Sequence, residues 1–180
     1  MLFRSIVELY VSEHPLDCLT CSANGDCVLQ DVAAEVGLRD VRYDVEPSNT
    51  KQAVDESNPF FFFDPSKCIV CSRCVRACDD LQVTHALSID GRGFASRIIA
   101  GADESFMASD CVSCGACVNE CPVGALEDKQ LRAAGNPDKW VRTTCGFCGV
   151  GCQFDAGIKG NQLVTMKPSA DSPVNNGHAC

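Results

Sequence analysis

The chain has 180 residues, 46% hydrophobic and 22% charged, a composition typical of a folded globular protein rather than a disordered one. Its net charge of −9 argues against nucleic-acid binding, which needs clustered Lys and Arg. No stretch approaches the roughly 18 apolar residues needed to cross a bilayer, so no membrane insertion is expected. Fifteen cysteines are the outlier. Such density suggests a secreted disulfide scaffold, but Glu8 and Glu13 break any signal-like apolar run and the odd count leaves one thiol unpaired. The expectation is a cytoplasmic chain whose thiols stay reduced unless metal holds them.

In chain order, residues 1–13 read as the end of a helix, with Ile6, Val7, Leu9, Tyr10 and Val11 as its apolar patch. Pro15, Asn24 and Gly25 make residues 14–27 a loop. Leu29, Val32, Ala33 and Val36 follow helical spacing up to Gly37. Residues 44–59, polar and containing Pro47, Ser48, Asn49, Asn58 and Pro59, read as a linker. Phe60–Phe63 reads as a short buried strand. Ala86–Asp90 and Phe94–Ala100 flank Gly91-Arg92-Gly93 as a hairpin. A boundary is expected at Gly135-Asn136-Pro137, followed by Trp140–Thr144. A second hairpin, Gln153–Lys159 with Gln162–Lys167, turns at Gly160-Asn161. Asp171 to Cys180 reads as loop.

The cysteines carry the chemistry. Cys68, Cys71, Cys74 and Cys78 recur 43 residues later as Cys111, Cys114, Cys117 and Cys121, the last followed by Pro122. Three cysteines at two-residue intervals and a fourth three residues on match the bacterial ferredoxin run, which wraps a loop around one corner of an iron–sulfur cube. The fourth cysteine is expected to start a helix pointing toward the other cluster, so that ligation crosses over. One [4Fe–4S] cluster then takes Cys68, Cys71, Cys74 and Cys121, and the other takes Cys111, Cys114, Cys117 and Cys78. Structural zinc prefers paired C-x2-C units instead.

Ahead of this repeat lies His14-x3-Cys18-x2-Cys21-x5-Cys27. Imidazole replaces thiolate at some iron–sulfur centres and raises their potential, so His14 completes a set of four; the bland alternative is that it caps the turn beside Pro15. His85 and His178 lack comparable partners and read as ordinary surface or loop histidines. The last group is Cys145-x2-Cys148-x3-Cys152, then Cys180, with Gly146, Gly149 and Gly151 between the cysteines letting backbone N–H groups approach sulfide. Zinc competes most seriously here. Fifteen cysteines and His14 make sixteen donors, four sets of four with none left over. Lys67, Arg73, Arg76, Arg92 and Arg97 could steady reduced, anionic clusters, but solvated surface charges are the expected account. No nucleophile–base pair, phosphate-binding loop or dinucleotide fingerprint is present.

The order of motifs resembles the N-terminal electron-transfer region of the alpha subunit of cytoplasmic, NAD-dependent molybdenum or tungsten formate dehydrogenases. The resemblance runs from Val7 to Cys180. It is carried by His14-Pro15-Leu16-Asp17-Cys18, Asn24-Gly25-Asp26-Cys27, Phe60 to Cys78, Asp90-Gly91-Arg92-Gly93-Phe94 and Cys145-Gly146-Phe147-Cys148-Gly149-Val150-Gly151-Cys152. The large iron–sulfur subunit of respiratory complex I and the iron–sulfur subunits of hydrogenases are similar in part. The first lacks the second ferredoxin run, and iron-only hydrogenases lack the Cys145–Cys180 pattern.

The resemblance implies an α+β chain in modules: 1–43 a His-cluster module, 44–59 a linker, 60–135 a 2[4Fe–4S] ferredoxin-like βαβ pair with an inserted hairpin, and 136–180 the start of a molybdopterin-oxidoreductase [4Fe–4S] domain. It implies four [4Fe–4S] clusters here and a bis-pyranopterin metal site only in a longer parent. A flavin- and NAD-binding iron–sulfur subunit is the implied partner. The family carries a [2Fe–2S] domain before the His14 site and continues well past Cys180. The chain is therefore expected to be a fragment that relays electrons without the substrate site. The competing readings are a hydrogenase or complex I relay, a redox or iron sensor, and a zinc-bound interaction module.

Overall fold

The computed structural model describes residues 2–43 and 52–180; the first half of the expected linker, including Pro47, Ser48 and Asn49, lies outside the described residues. The fold begins with helices α1 (Leu2–Ser12) and α2 (Val28–Glu35), which pack together. Glu8 projects from α1 with its side chain only 1% exposed, because the Arg42 guanidinium covers it. Arg42 donates from Nη2 to Oε2 at 2.7 Å, from Nε to Oε1 at 2.9 Å, and from its backbone N–H to Oε1 at 2.7 Å. This fork fastens the chain after α2 back onto α1.

The central unit is built on β1 (Phe61–Phe63) and β4 (Leu126–Asp128), antiparallel in the register Phe61↔Asp128, Phe63↔Leu126. Every side chain of β1 is buried, as a strand covered on both faces requires. Phe106 stands edge-on to both Phe61 and Phe63, with ring centroids 5.2 and 6.0 Å apart, and the Arg132 guanidinium lies 4.4 Å over the Phe62 ring. Between the two strands come the short helix α3 (Arg73–Arg76), a π-helical turn at Ala77–Leu81, the hairpin of β2 (Leu87–Asp90) and β3 (Arg97–Ala100), and α4 (Ala116–Asn119). A Cβ on Gly91 would collide with the Ala95 carbonyl, so this hairpin turn needs glycine there. Arg97 clamps the hairpin by pairing with Asp90 and Asp103.

The helices fall differently from expectation. The third cysteine of each run, Cys74 or Cys117, sits inside the helix; Cys78 lies in the π-helical turn that continues α3, and Cys121 follows α4. Left-handed residues at Ser72 and Gly115 turn the chain into helix before the third cysteine, and Pro122 blocks continuation after Cys121.

Residues 52–59 of the expected linker are fastened to this unit. Asp55 pairs with Phe63 through both backbone groups, and its carboxylate accepts from the Phe106 N–H at 2.8 Å and the Ser57 N–H at 2.8 Å. Burial works against that charge, but the hydrogen bonds outweigh it and hold the Asp55 pKa below its usual value. The buried Asn58 donates to Ser113, and Lys129 reaches the carbonyls of Glu56 and Asn58 at 2.7 Å each.

The last module starts after α5 (Lys129–Ala134), capped by Asp128, which accepts from the N–H groups of Gln130 and Leu131. It is a three-stranded antiparallel sheet, β5 (Lys139–Thr144), β6 (Gln153–Lys159) and β7 (Gln162–Pro168), with the expected turn at Gly160-Asn161. Among the described residues no helix is long and apolar enough to cross a membrane.

The Arg42 fork holds the Glu8 carboxyl down to about 2 from its ordinary 4.5. The folded form therefore gains stability from the pair above pH 4.5 and loses it as the pH falls toward 2. At neutral pH, Arg42→Met leaves a covered carboxylate without a partner and should raise amide hydrogen exchange in α1 roughly tenfold. Glu8→Gln should raise it less.

Candidate metal centres

The repeat is written into the backbone as well as the sequence. Val70 and its repeat equivalent Ser113 both take positive φ, 51° and 56°, and Ser72 and Gly115 do the same at 66° and 76°. A β-branched residue in this region is strained. These left-handed turns bend each C-x2-C-x2-C loop so that N–H groups face inward: Val70 donates to Cys68 Sγ at 3.3 Å and Ser113 to Cys111 Sγ at 3.4 Å. The fourth thiols are approached similarly, Cys78 by the Ala86 N–H at 3.3 Å and Cys121 by the Leu126 N–H at 3.4 Å.

The fold crosses the two runs. Cys68, Cys71, Cys74 and Cys121 line one cavity together with Phe63, Ile98 and Leu126. Cys78, Cys111, Cys114 and Cys117 line a second, walled by Phe61, Leu87 and Phe106. Burial pushes the Cys68 thiol up to about 11 and the Cys74 thiol up to about 12, with neighbouring thiols of the same set adding to the rise. Cys117 and Cys121 are raised by burial too, although Cys121 is partly relieved by backbone N–H groups. Among the charges that act on Cys117 is the Cys74 thiol of the other set, so the two cavities are neighbours.

The first group also closes on itself. His14, Cys18, Cys21 and Cys27 line a cavity of about 90 Å³ with Pro15, Leu29 and Val123. His14 Nδ1 is buried without a hydrogen-bond partner, and so is Oε1 of Glu13 beside it. Burial lowers the His14 pKa, which keeps the imidazole neutral and able to donate a lone pair. An orphaned ring nitrogen among three thiols fits a metal centre better than a turn cap.

These donor sets differ from a mononuclear site. Among the described residues no three His, Cys, Asp or Glu side chains close on one ion. A cube of four irons takes one donor at each corner and so holds its four donors farther apart than a single tetrahedral ion does. Three sets of four donors around apolar cavities fit [4Fe–4S] clusters.

The fourth group is gathered by backbone more than by thiols. Cys145 donates its N–H to the Cys152 carbonyl at 2.8 Å, extending the β5–β6 ladder. Asn175 ties the C-terminal turn to the same end of the sheet, bonding Gln153 through both of its backbone groups and the His178 carbonyl at 2.8 Å. The chain thereby returns toward Cys152 across the long gap before Cys180. Cys148 and Cys180 are exposed, and Cys180 borders a groove of about 310 Å³ shared with Cys114 and Cys121. Space is open around Gly146, Gly149 and Gly151. His85 lies on the surface against Asp79.

Lys67 departs from the expected surface charge. Its Nζ lies 3.3 Å from Cys21 Sγ, in the neighbouring module. Burial disfavours the ammonium, yet the contact with Cys21 outweighs it and raises the Lys67 pKa. A second bridge runs from the Val28 N–H to the Pro122 carbonyl at 2.9 Å, joining the residues that follow Cys27 and Cys121. Neither bridge has a signal in local sequence. The inward N–H groups do have one, the repeat offset itself.

Three family models match in tandem. Residues 4–42 match the NADH-ubiquinone oxidoreductase-G iron-sulfur binding region, residues 67–125 a 4Fe-4S dicluster domain, and residues 138–180 the molybdopterin oxidoreductase Fe4S4 domain. The chain is 28% identical to a putative formate dehydrogenase of Staphylococcus haemolyticus, over 98% of this chain and 22% of that protein. It is 30% identical to a probable oxidoreductase of Bacillus subtilis, over 93% of this chain and 21% of that one. A solved chain of NAD+-reducing [NiFe]-hydrogenase in the H2-reduced state superposes with a TM-score of 0.63 at 36% identity, covering 73% of this chain and 54% of that chain. The chain thus spans about a fifth of the length of the curated relatives it matches.

Crossed ligation makes a pairing test. Cys68→Ala and Cys121→Ala should each cost the same cluster, about four irons, and the double variant should cost no more. Cys68→Ala with Cys78→Ala should cost about eight. Additivity within the first pair would break the crossover. His14→Cys should keep its iron but lower that centre's potential, because a neutral ligand becomes anionic.

Proposed function

We propose that this chain, which carries in tandem an NADH-ubiquinone oxidoreductase-G iron-sulfur binding region, a 4Fe-4S dicluster domain and a molybdopterin oxidoreductase Fe4S4 domain, relays single electrons through four [4Fe–4S] clusters as part of a cytoplasmic formate dehydrogenase. The observation that carries the reading is the crossed gathering of eight thiols into two neighbouring cavities, beside a third lined by one histidine and three cysteines. The ligand sets are His14, Cys18, Cys21, Cys27; Cys68, Cys71, Cys74, Cys121; Cys78, Cys111, Cys114, Cys117; and Cys145, Cys148, Cys152, Cys180.

A bound [4Fe–4S] cluster stores and passes one electron. The chain's own residues hold the thiolates, keep water away and steady the added negative charge. Phe61, Phe63, Leu87, Ile98 and Phe106 make the surroundings of the central pair apolar. The N–H groups of Val70, Ala86, Ser113 and Leu126 point fixed dipoles at four of the sulfurs.

The contacts support one order for the relay. The His14 set adjoins the Cys121 set through Val28–Pro122 and Lys67–Cys21, and Cys74 adjoins Cys117. Gln82, close after Cys78, reaches the Ala179 carbonyl beside Cys180 at 3.4 Å. Electrons from formate oxidised in a longer parent would enter at the Cys180 end. They would leave at the His14 end toward a flavin- and NAD-binding iron–sulfur subunit. Formate as the substrate is supported by the relatives' names and by the molybdopterin-type domain at 138–180. The molybdenum or tungsten bis-pyranopterin site would lie in that parent. A hydrogenase relay is the second reading, favoured by the likeness to the solved hydrogenase chain.

Iron and acid-labile sulfide per chain, measured after anaerobic reconstitution, test the relay. About sixteen of each supports four clusters, about twelve supports three with the fourth site unloaded, and zinc in place of iron overturns the reading. Coding sequence beyond Cys180 decides between substrates. A molybdopterin domain supports formate dehydrogenase, and a hydrogenase active-site motif defeats it.

A further inference from the structure

Lys67 belongs by sequence to the dicluster domain and by contact to the His14 module. Asp64 caps the turn Pro65–Lys67, accepting from the Ser66 N–H at 3.0 Å, and donates its own N–H to the Ala125 carbonyl at 2.7 Å. This fixes the backbone just before Cys68. The Lys67 stem crosses from there, and its ammonium meets Cys21 Sγ at 3.3 Å. A half-buried ammonium with three donors needs partners, and here one of them is a cluster thiol. The other charges facing both Lys67 and His14 are the carboxylates of Asp17 and Asp64.

From this geometry we infer that Lys67 is a positioning residue that raises the reduction potential of the cluster held by His14, Cys18, Cys21 and Cys27, by donating a charged hydrogen bond to Cys21 across the domain boundary. The inference rests on the relay reading. Reduction adds one negative charge to the cluster. A cation hydrogen-bonded to a ligand sulfur stabilises that state more than the oxidised one, while Asp17 and Asp64 act the other way. The neutral His14 and the cationic Lys67 therefore shift the same cluster in the same direction.

The test is an anaerobic redox titration of the full reconstituted chain, followed by electron paramagnetic resonance, with iron counted in each sample. Lys67→Met should keep the iron and shift the midpoint of the His14 cluster negatively. The reduced-to-oxidised ratio at fixed solution potential should fall roughly tenfold, which for one electron is about 59 mV. The other midpoints should stay in place, and Lys67→Arg should restore most of the shift. Lys67→Gln, which keeps a donor without the charge, gives a second reading if the Met variant loads poorly. A wild-type midpoint in a loaded Met or Gln variant overturns the inference. Loss of that cluster from both variants does so too, because Lys67 would then hold the site rather than tune it. Failure of the wild-type chain to bind iron and sulfide would sink the relay reading itself.

Discussion

In this fold neither half of the sequence repeat gathers its own four cysteines around one cavity, and the architecture depends on that exchange. Cys121 must return to the loop of Cys68, Cys71 and Cys74, and Cys78 must reach the loop of Cys111, Cys114 and Cys117. The pairing of β1 with β4 serves this exchange: Leu126, opposite Phe63, lies just beyond Cys121 and donates its N–H to that sulfur. Burial pushes the Cys68 thiol to about 11 and the Cys74 thiol to about 12, which keeps both neutral, the state that suits an apolar cavity. In the proposed loaded form, iron would displace those thiol protons and supply the counter-charge, so cluster binding and folding would be coupled in this unit.

Local backbone devices make the exchange geometrically feasible. The left-handed turns at Val70 and Ser113, and at Ser72 and Gly115, recur at the same offset as the cysteines. Val70, Ser72 and Ser113 each cost on the order of 1 kcal/mol or more in this conformation, whereas Gly115 adopts it freely, and together they aim one N–H of each loop at its own sulfur. At the fourth cysteines the repeat diverges. Cys121 is met by a strand residue five positions on, whereas Cys78 is met by Ala86, eight positions on at the entry to the inserted hairpin. The insertion thus supplies a hydrogen bond that the second half obtains from β4.

Periodicity made the cysteine runs, both hairpins, α2 and the buried β1 legible from sequence, because each is written in residues close along the chain. What the sequence hid is tertiary. The polar stretch 52–59 has the composition of a solvated tether, but Asp55 and Asn58 spend their polar groups on Phe106, Ser57 and Ser113; composition cannot separate those uses. The expected helix start at each fourth cysteine shifted because left-handed Ser72 and Gly115 start the helix a few residues early; a helical turn still runs on through Cys78, but none follows Cys121. Sequence offers Lys67 as one of five cations that could steady a cluster; only the path of its stem across the module boundary separates it from the rest.

The same boundary explains how a histidine on a helix end can serve a relay. His14 follows α1 directly, its N–H bonded to the Val11 carbonyl at 3.2 Å. The lateral position of α1 is set six residues earlier, where Arg42 covers Glu8. Opposite, Lys67 and the Val28–Pro122 bond fix the thiol side of the same cavity to the dicluster domain. The donor set is therefore held from two sides, by an ion pair within its own module and by contacts from its neighbour. One of those contacts, from Lys67, ends on a sulfur of the proposed ligand set, so in the proposed relay this side chain would both help to align the two modules and act on the charge of that site, whereas the Val28–Pro122 bond serves alignment alone.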